Sequence, residues 1–93
     1  MNQRRWRVVI ASPAARDIDR LPMKVAAAAL EAIQSIAADP RRMGKPQHLE
    51  LAGQWSARRG PYRIIYSIDD SNDTITVIAV AHRADVYRRA RRG

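Results

Sequence analysis

The sequence predicts a small α+β domain in which an antiparallel sheet packs against a helical hairpin. A chain of 93 residues that is 46% hydrophobic can bury one modest core. Its apolar residues follow helical spacing in the first half and strand alternation in the second half. Short turn-forming segments separate these stretches, and none resembles an interdomain linker. We therefore expect residues 1–93 to form a single domain with the element order β-α-α-β-β-β-α.

The N-terminal part of the chain predicts a strand and then a short helix. Trp6–Ala11 is short, aromatic and β-branched, which is typical of a strand. Ser12 and Pro13 have the order of a helix start, with serine as N-cap and proline at the first helical position. The first helix should run from Pro13 to about Arg20. It should end before Leu21-Pro22, because the residue before a proline avoids helical geometry.

The second helix is predicted from about Pro22 to Ala38, and with the first it forms the hairpin. Its alanine-rich sequence has high helix propensity. Apolar residues recur at steps of three and four, which places one stripe against the core. The stripe consists of Val25, Ala29, Ile33 and Ile36.

The remaining elements are three strands and a last helix. Arg41–Pro46 is predicted as a loop with three cations. The strands follow over Gln54–Arg58, from Tyr62 to Ile68 and over Thr74–His82, and short turns between them favour antiparallel pairing. The last helix is predicted over residues 83–92.

The strand that begins at Tyr62 organises the second half of the chain. Its even positions are large and apolar or aromatic, whereas its odd positions are mixed, so the even positions should share one face. The even positions are Tyr62, Ile64, Tyr66 and Ile68, and the odd positions are Arg63, Ile65 and Ser67. Arg63 opens the other face beside the Gly60-Pro61 turn. A guanidinium rooted in a strand is well held and suits a phosphate. Spacing alone leaves open that Arg63 is a solvated arginine near a strand end.

Composition limits the classes of function. The chain has 17 lysines and arginines against 9 acids, a formal charge of +8, which favours a polyanionic partner such as nucleic acid, an acidic protein or a membrane surface. It has no cysteine, which excludes disulfides and thiolate chemistry. No apolar run reaches the roughly 18 residues that span a membrane, and no signal-peptide core follows the basic N-terminus. For these last two reasons we expect a cytoplasmic protein. His48 and His82 are not accompanied by clustered acidic residues, so we expect no metal site and no cofactor.

Two motifs stand out in the second half of the chain: Arg-Arg-Gly-Pro-Tyr-Arg-Ile-Ile-Tyr over residues 58–66 and Ala-His-Arg-Ala-Asp-Val-Tyr over residues 81–87. Together with the element order, they resemble the RelE toxins of the RelE/ParE superfamily. The resemblance implies a toxin of a bacterial type II toxin–antitoxin pair, with an acidic antitoxin as partner in a hetero-oligomer. RelE members cut mRNA in the ribosomal A site, whereas ParE members share the fold but inhibit DNA gyrase.

The resemblance also implies roles for particular residues. Cleavage by the RNA 2′-hydroxyl needs a base, charge stabilisation on the phosphoryl oxygens and a proton for the leaving oxygen. In RelE-type toxins the residues matching Arg63 and Arg83 meet the phosphate, and the residue matching Tyr87 helps to activate the hydroxyl. His82 is a further catalytic candidate.

The chain departs from the best-known RelE pattern in the strand before Tyr62, which lacks lysine. Arg58 and Arg59 are therefore the candidate phosphate binders there, and we expect them to line one concave sheet face with Arg63 and Arg83. An arginine is a poorer proton donor than a lysine, which leaves room for His82. Arg88 and Arg89 belong to a terminal run that either tracks RNA backbone or is a solvated face.

Three functions remain open from the sequence. The first is a ribosome-dependent endoribonuclease that acts on mRNA, favoured by the presence of Arg63, Arg83 and Tyr87. The second is a gyrase inhibitor of the same fold. The third is an inactive nucleic-acid-binding module, favoured by the missing lysines.

Overall fold

The computed structural model describes residues 6–82 and Asp85. The helix predicted over residues 83–92 lies, apart from Asp85, outside the described residues. The other predicted helices and strands are present, with three short additions. The elements are β1 (Arg7–Ile10), α1 (Ser12–Asp19), α2 (Met23–Ala38), α3 (Pro40–Met43), β2 (Lys45–Pro46), a 3₁₀ turn (Leu49–Leu51), β3 (Trp55–Arg59), β4 (Tyr62–Asp69) and β5 (Thr74–His82).

The sheet has five strands in the order β1-β5-β4-β3-β2. Strands β3, β4 and β5 pair antiparallel, as their short turns predicted. The sequence did not predict that β1 would pair parallel with β5, with Ile10 opposite Val77, so the sheet is mixed. The helical hairpin carries the chain from β1 to β2 at the opposite edge of the sheet, and β3 and β4 then bring it back to β5 beside β1. The α+β prediction is confirmed.

Two local predictions were wrong. Ser12 is the first residue of α1, and Ala11 holds the N-cap position with no side-chain hydrogen bond to the helix. The predicted loop over Arg41–Pro46 instead contains most of α3 and all of β2. Pro40 begins α3, where its fixed φ angle suits the first helical turn. β2 then pairs with the start of β3 through Lys45 and Ser56.

The sheet has two different faces. The face that carries α1 and α2, here called the helix face, holds the main core and includes the even positions of β4, as predicted. The opposite face, here called the far face, holds a smaller cluster around Ile65. Buried members of the main core are Ala14, Ala29, Ile33, Ile36, Ala57, Ile64, Tyr66, Ile75, Val77 and Val80, and those of the far-face cluster are Leu51, Ile65 and Ala79. Among the described residues, no helix has both the length and the apolar character needed to cross a membrane.

A β-bulge on β5 controls which side chains reach each face. Near the turn Tyr66 pairs with Val77, but Ile65 pairs with Ala79, so Ile78 has no partner in β4. One extra residue moves every later side chain of β5 to the opposite face. As a result, Val80 packs in the core and Ala81 lies on the far face opposite Arg63.

Asp17 fixes α1 to the strand just beyond this bulge. Only 4% of Asp17 is exposed, and its Oδ2 accepts a hydrogen bond of 3.0 Å from the backbone N–H of Val80. The pairing of β1 with β5 ends at Val77, so Val80 lies where β1 no longer provides a partner. The carboxylate therefore satisfies a buried backbone donor at the end of the parallel ladder.

Replacing Asp17 with alanine should lower the free energy of unfolding by about 1–3 kcal/mol, because the Val80 N–H would be buried without an acceptor. Chemical denaturation monitored by circular dichroism would measure this change. Asp19→Ala, at an exposed position of the same helix, is the matched control and should change stability by less than about 0.5 kcal/mol. Equal effects of the two substitutions would contradict this role for Asp17.

Tyr66 ties the sheet to α3. Its ring is fully buried, and its hydroxyl donates a hydrogen bond of 2.5 Å to the carbonyl oxygen of Pro40. Burial, with a further contribution from the charge of Asp39, raises the pKa of Tyr66 to about 12, which keeps the phenol protonated as a donor. Gly44 lies against this phenol: a Cβ there would overlap the Tyr66 hydroxyl and lie 3.1 Å from the carbonyl oxygen of Ser56. Position 44 therefore requires glycine because a side chain would not fit there. Its φ of −129° is open to any residue.

Candidate nucleic-acid site

Two arginines stand side by side on the far face at one end of the sheet. Arg63, in β4, has Arg58 of β3 as its direct cross-strand partner and Ala81 of β5 on its other side. Directly opposed residues have Cβ atoms about 4.5–5.5 Å apart, and like charges in that position repel each other. A bound anion would remove this repulsion. The pair is therefore the candidate phosphate-binding site of this face.

The environment of Arg63 supports the same interpretation. Its Nε atom is buried and, among the described residues, has no hydrogen-bond partner. A buried donor without an acceptor is costly, and a charged donor more so. Arg58 is exposed. Because the Nε is buried, a phosphate oxygen would accept from the terminal Nη atoms of Arg63, whose backbone is fixed in the strand.

Arg59 does not share the far face with this pair. It follows Arg58 in β3, so its side chain emerges on the helix face. There it lies 3.5 Å from the carboxylate of Glu31 in α2, in a partly exposed ion pair. The prediction that Arg58, Arg59 and Arg63 line one face was therefore wrong for Arg59.

His82 also lies on the side of the sheet away from Arg63. It pairs with Tyr62, and the two rings meet edge to face with centroids 6.1 Å apart. The β-bulge at Ile78 produces this outcome, because it changes which residues of β5 share a face with Arg63. The structure does not bring the His82 ring to the Arg58–Arg63 pair, and its catalytic role stays a prediction.

The end of β5 lies where the sequence predicted it. Residues 62–64 pair with residues 80–82, so the chain leaves the sheet beside Arg63. The remaining predicted site residues are Arg83, Tyr87, Arg88 and Arg89, and they lie outside the described residues. Their roles also stay predictions.

A cavity of about 300 Å³ lies on the helix face, which the sequence did not predict. It is formed between α2 and the turn that joins β3 to β4, with Val25, Ala28, Pro61 and Tyr62 in its largely apolar wall. It is separated from the Arg58–Arg63 pair by the sheet. Within residues 6–82 and Asp85, no three His, Asp or Glu side chains come together in a way that could hold a metal ion.

Comparison with known proteins assigns the chain to a family of toxins. The sequence profile described as "ParE toxin of type II toxin-antitoxin system, parDE" matches residues 8–87. Because this match covers most of the chain, the protein belongs to that family. It is the toxin component of a type II toxin–antitoxin system, as the resemblance to RelE/ParE toxins predicted.

Two relatives come from Mycobacterium tuberculosis (strain ATCC 25618 / H37Rv). Toxin RelG is 46% identical over 85 residues, covering 90% of this chain and 98% of the relative. Toxin RelE is 44% identical over 84 residues, covering 89% of this chain and 87% of the relative.

A solved structure gives the same result for the fold. The crystal structure of the toxin–antitoxin complex RelBE2 from Mycobacterium tuberculosis contains a chain that is 43% identical and superposes with a TM-score of 0.79. That match covers 84% of this chain and 98% of the other.

Proposed function

We propose that this toxin is a ribosome-dependent endoribonuclease that cuts mRNA without a metal ion. The observation that carries the proposal is the Arg58–Arg63 pair, in which two arginines lie directly opposite each other on the far face of the sheet. Two relatives are named toxin RelE and toxin RelG, which supports the proposal because the resemblance to RelE toxins implies action on mRNA.

In this mechanism, the 2′-oxygen of one nucleotide attacks the adjacent phosphorus while the bond from phosphorus to the 5′-oxygen of the next nucleotide breaks. The products are a 2′,3′-cyclic phosphate and a 5′-hydroxyl. Arg63 stabilises the negative charge that develops on the phosphoryl oxygens, and Arg58 holds the same or the neighbouring phosphate.

Two protons must move during this reaction. Tyr87 takes the proton of the attacking hydroxyl, with Arg83 as a second phosphate contact, as the RelE motif implies. The arginine pair is a poor proton source, because guanidinium scarcely deprotonates. The leaving oxygen therefore takes its proton from water or from a residue other than Arg58 and Arg63.

The charge of the chain also bears on its partners. A toxin with a formal charge of +8 attracts an acidic antitoxin, and the relative that is 43% identical was solved as a toxin–antitoxin complex. We expect a tight complex of this kind and action on mRNA in the bacterial cytoplasm. Copurification with the product of the adjacent reading frame would test the antitoxin partner.

Primer extension on a reporter mRNA after induction of the toxin tests the nuclease proposal. Cleavage should appear at discrete positions in translated regions and disappear when the start codon is removed. The same cells provide plasmid DNA for a supercoiling assay. Uncut mRNA together with relaxed plasmid would overturn the nuclease proposal.

Gyrase inhibition is the second candidate, because the profile that matches the chain is that of ParE toxins. The Arg58–Arg63 pair would then contact an acidic protein surface or DNA without catalysis. Inhibition of purified gyrase by the purified toxin, with no effect on mRNA, would favour this candidate.

Arg58 and Arg59 form a matched pair for testing the far face, because they are adjacent in sequence and lie on opposite faces. Arg58→Ala should weaken binding to ribosomes programmed with mRNA and reduce the slope of log affinity against log salt by roughly 0.7, the value for one phosphate contact on a single strand. Arg59→Ala should leave the slope unchanged. Filter binding over a salt series would measure both, and equal slopes for the two variants would contradict the assignment of the far face.

A further inference from the structure

Leu49 has two energetically unfavourable features, an exposed apolar side chain and a left-handed backbone. Its side chain is 91% exposed although it is a large apolar group. Its backbone φ is 57°, in the left-handed region that a bulky residue rarely adopts. Strain of this kind persists where the surrounding structure holds it, and it is concentrated at functional sites.

The loop around Leu49 is closed by backbone hydrogen bonds. The N–H of Gln47 donates to the carbonyl oxygen of Gln54 at 2.8 Å, which joins the two ends of the loop. Within it, the N–H of Ala52 donates to the carbonyl oxygen of Leu49 at 3.0 Å. The direction in which Leu49 leaves the loop is therefore set by the backbone.

The same loop is anchored on the far face. Leu51 is buried against Ile65 and Ala79 in the far-face cluster. Ile65 lies two residues from Arg63 along β4, a distance of about 7 Å at the usual rise per strand residue. Leu49 therefore belongs to a loop that is anchored on the same face of the sheet as the Arg58–Arg63 pair.

We propose that Leu49 is an apolar contact for a nucleobase of the RNA whose phosphate lies on Arg58 and Arg63. This inference rests on the proposed nuclease function. Leucine is one of the side chains that proteins place against or between bases. The strained backbone would hold it in position before the RNA arrives, so that less ordering entropy is lost on binding.

The surroundings favour RNA over a protein partner. Lys45 and His48 are exposed near Leu49, and both suit a neighbouring phosphate. Among the described side chains of the loop, Leu49 is the one large apolar group exposed to solvent. A protein interface normally buries a contiguous apolar patch, whereas a base offers a single apolar face beside a charged backbone.

Leu49→Asn tests the inference, because asparagine tolerates a positive φ and removes only the apolar contact. We expect cleavage of mRNA on programmed ribosomes to fall about tenfold in kcat/KM, a modest loss for a contact with a base. The salt slope of binding should not change, and the free energy of unfolding should stay equal or rise. Leu49→Met, which keeps an apolar side chain, should stay within about twofold of the parent.

Met23→Gln is the matched control, since Met23 is 87% exposed but belongs to α2 on the helix face. It should not alter cleavage. If the parent cuts mRNA and Leu49→Asn cuts equally well, the inference is wrong and the proposed function stands. The inference is also wrong if Leu49→Asn weakens only antitoxin binding. If the parent neither cuts mRNA nor binds programmed ribosomes, the proposed function and the inference both fail.

Discussion

Arg63→Ala should lower the rate of mRNA cleavage by about 10²–10³, the loss typical of removing one group that stabilises developing charge. Arg63 is half-buried in β4, so its side chain is rooted in the sheet rather than in a mobile loop. Its removal should not harm the fold, because it also removes the repulsion with Arg58 across the strand pair. Cleavage on programmed ribosomes, growth arrest and chemical denaturation together measure these effects.

Arg59→Ala serves as the control for this experiment, because it removes a guanidinium at the same end of the sheet but on the helix face. It should keep most of the cleavage activity. Full activity in Arg63→Ala would exclude Arg63 from catalysis and would favour gyrase inhibition over the nuclease function. Tyr87→Phe should resemble Arg63→Ala if the role implied by the RelE motif is correct.

Gly44→Ala should cause the largest loss of stability, about 2–4 kcal/mol, because it combines overpacking with the loss of a buried hydrogen bond. The added methyl group would displace the Tyr66 hydroxyl, which donates to the carbonyl oxygen of Pro40. The phenol cannot move away easily, since the Tyr66 ring is fully buried. Chemical denaturation of the purified protein would measure the loss.

A double-mutant cycle separates this effect from a general sensitivity to substitution of the segment between α3 and β2. Tyr66→Phe removes the hydroxyl that the new methyl group would meet. In the Tyr66→Phe background, Gly44→Ala should therefore cost clearly less than it does alone, with a coupling of at least about 0.5 kcal/mol. Additive losses would show that the two residues do not interact as described.

The helices and the pairing of the C-terminal strands followed from local patterns. Three members of the α2 stripe and two even positions of β4 enter the core, because helical and strand periods place them on one side. They are Ala29, Ile33, Ile36, Ile64 and Tyr66, whereas Val25 and Tyr62 line the cavity on the same face. Strand alternation also places the adjacent residues Arg58 and Arg59 on opposite faces of the sheet. Their shared charge therefore did not imply a shared face, and the expectation was wrong for Arg59.

Other features depend on tertiary structure and carry no local signal. The parallel pairing of β1 with β5 joins residues far apart in sequence. The bulge at Ile78 moves His82 to the face of Tyr62, and an unbroken ladder would have placed it on the face of Arg63. Leucine does not favour the left-handed backbone conformation found at Leu49, so its sequence gives no signal for it. The hydrogen bonds that close the loop hold the backbone there.

In the proposed mechanism, the RNA itself supplies the nucleophile while Arg63 stabilises the transition state. An mRNA with a single 2′-deoxynucleotide on the 5′ side of the cleaved phosphate tests it most directly, on programmed ribosomes with purified toxin. The unmodified mRNA should give a 2′,3′-cyclic phosphate and a 5′-hydroxyl, and the deoxy substitution should abolish cleavage at that position while binding persists. Cleavage of the deoxy-substituted mRNA at an undiminished rate would contradict the mechanism.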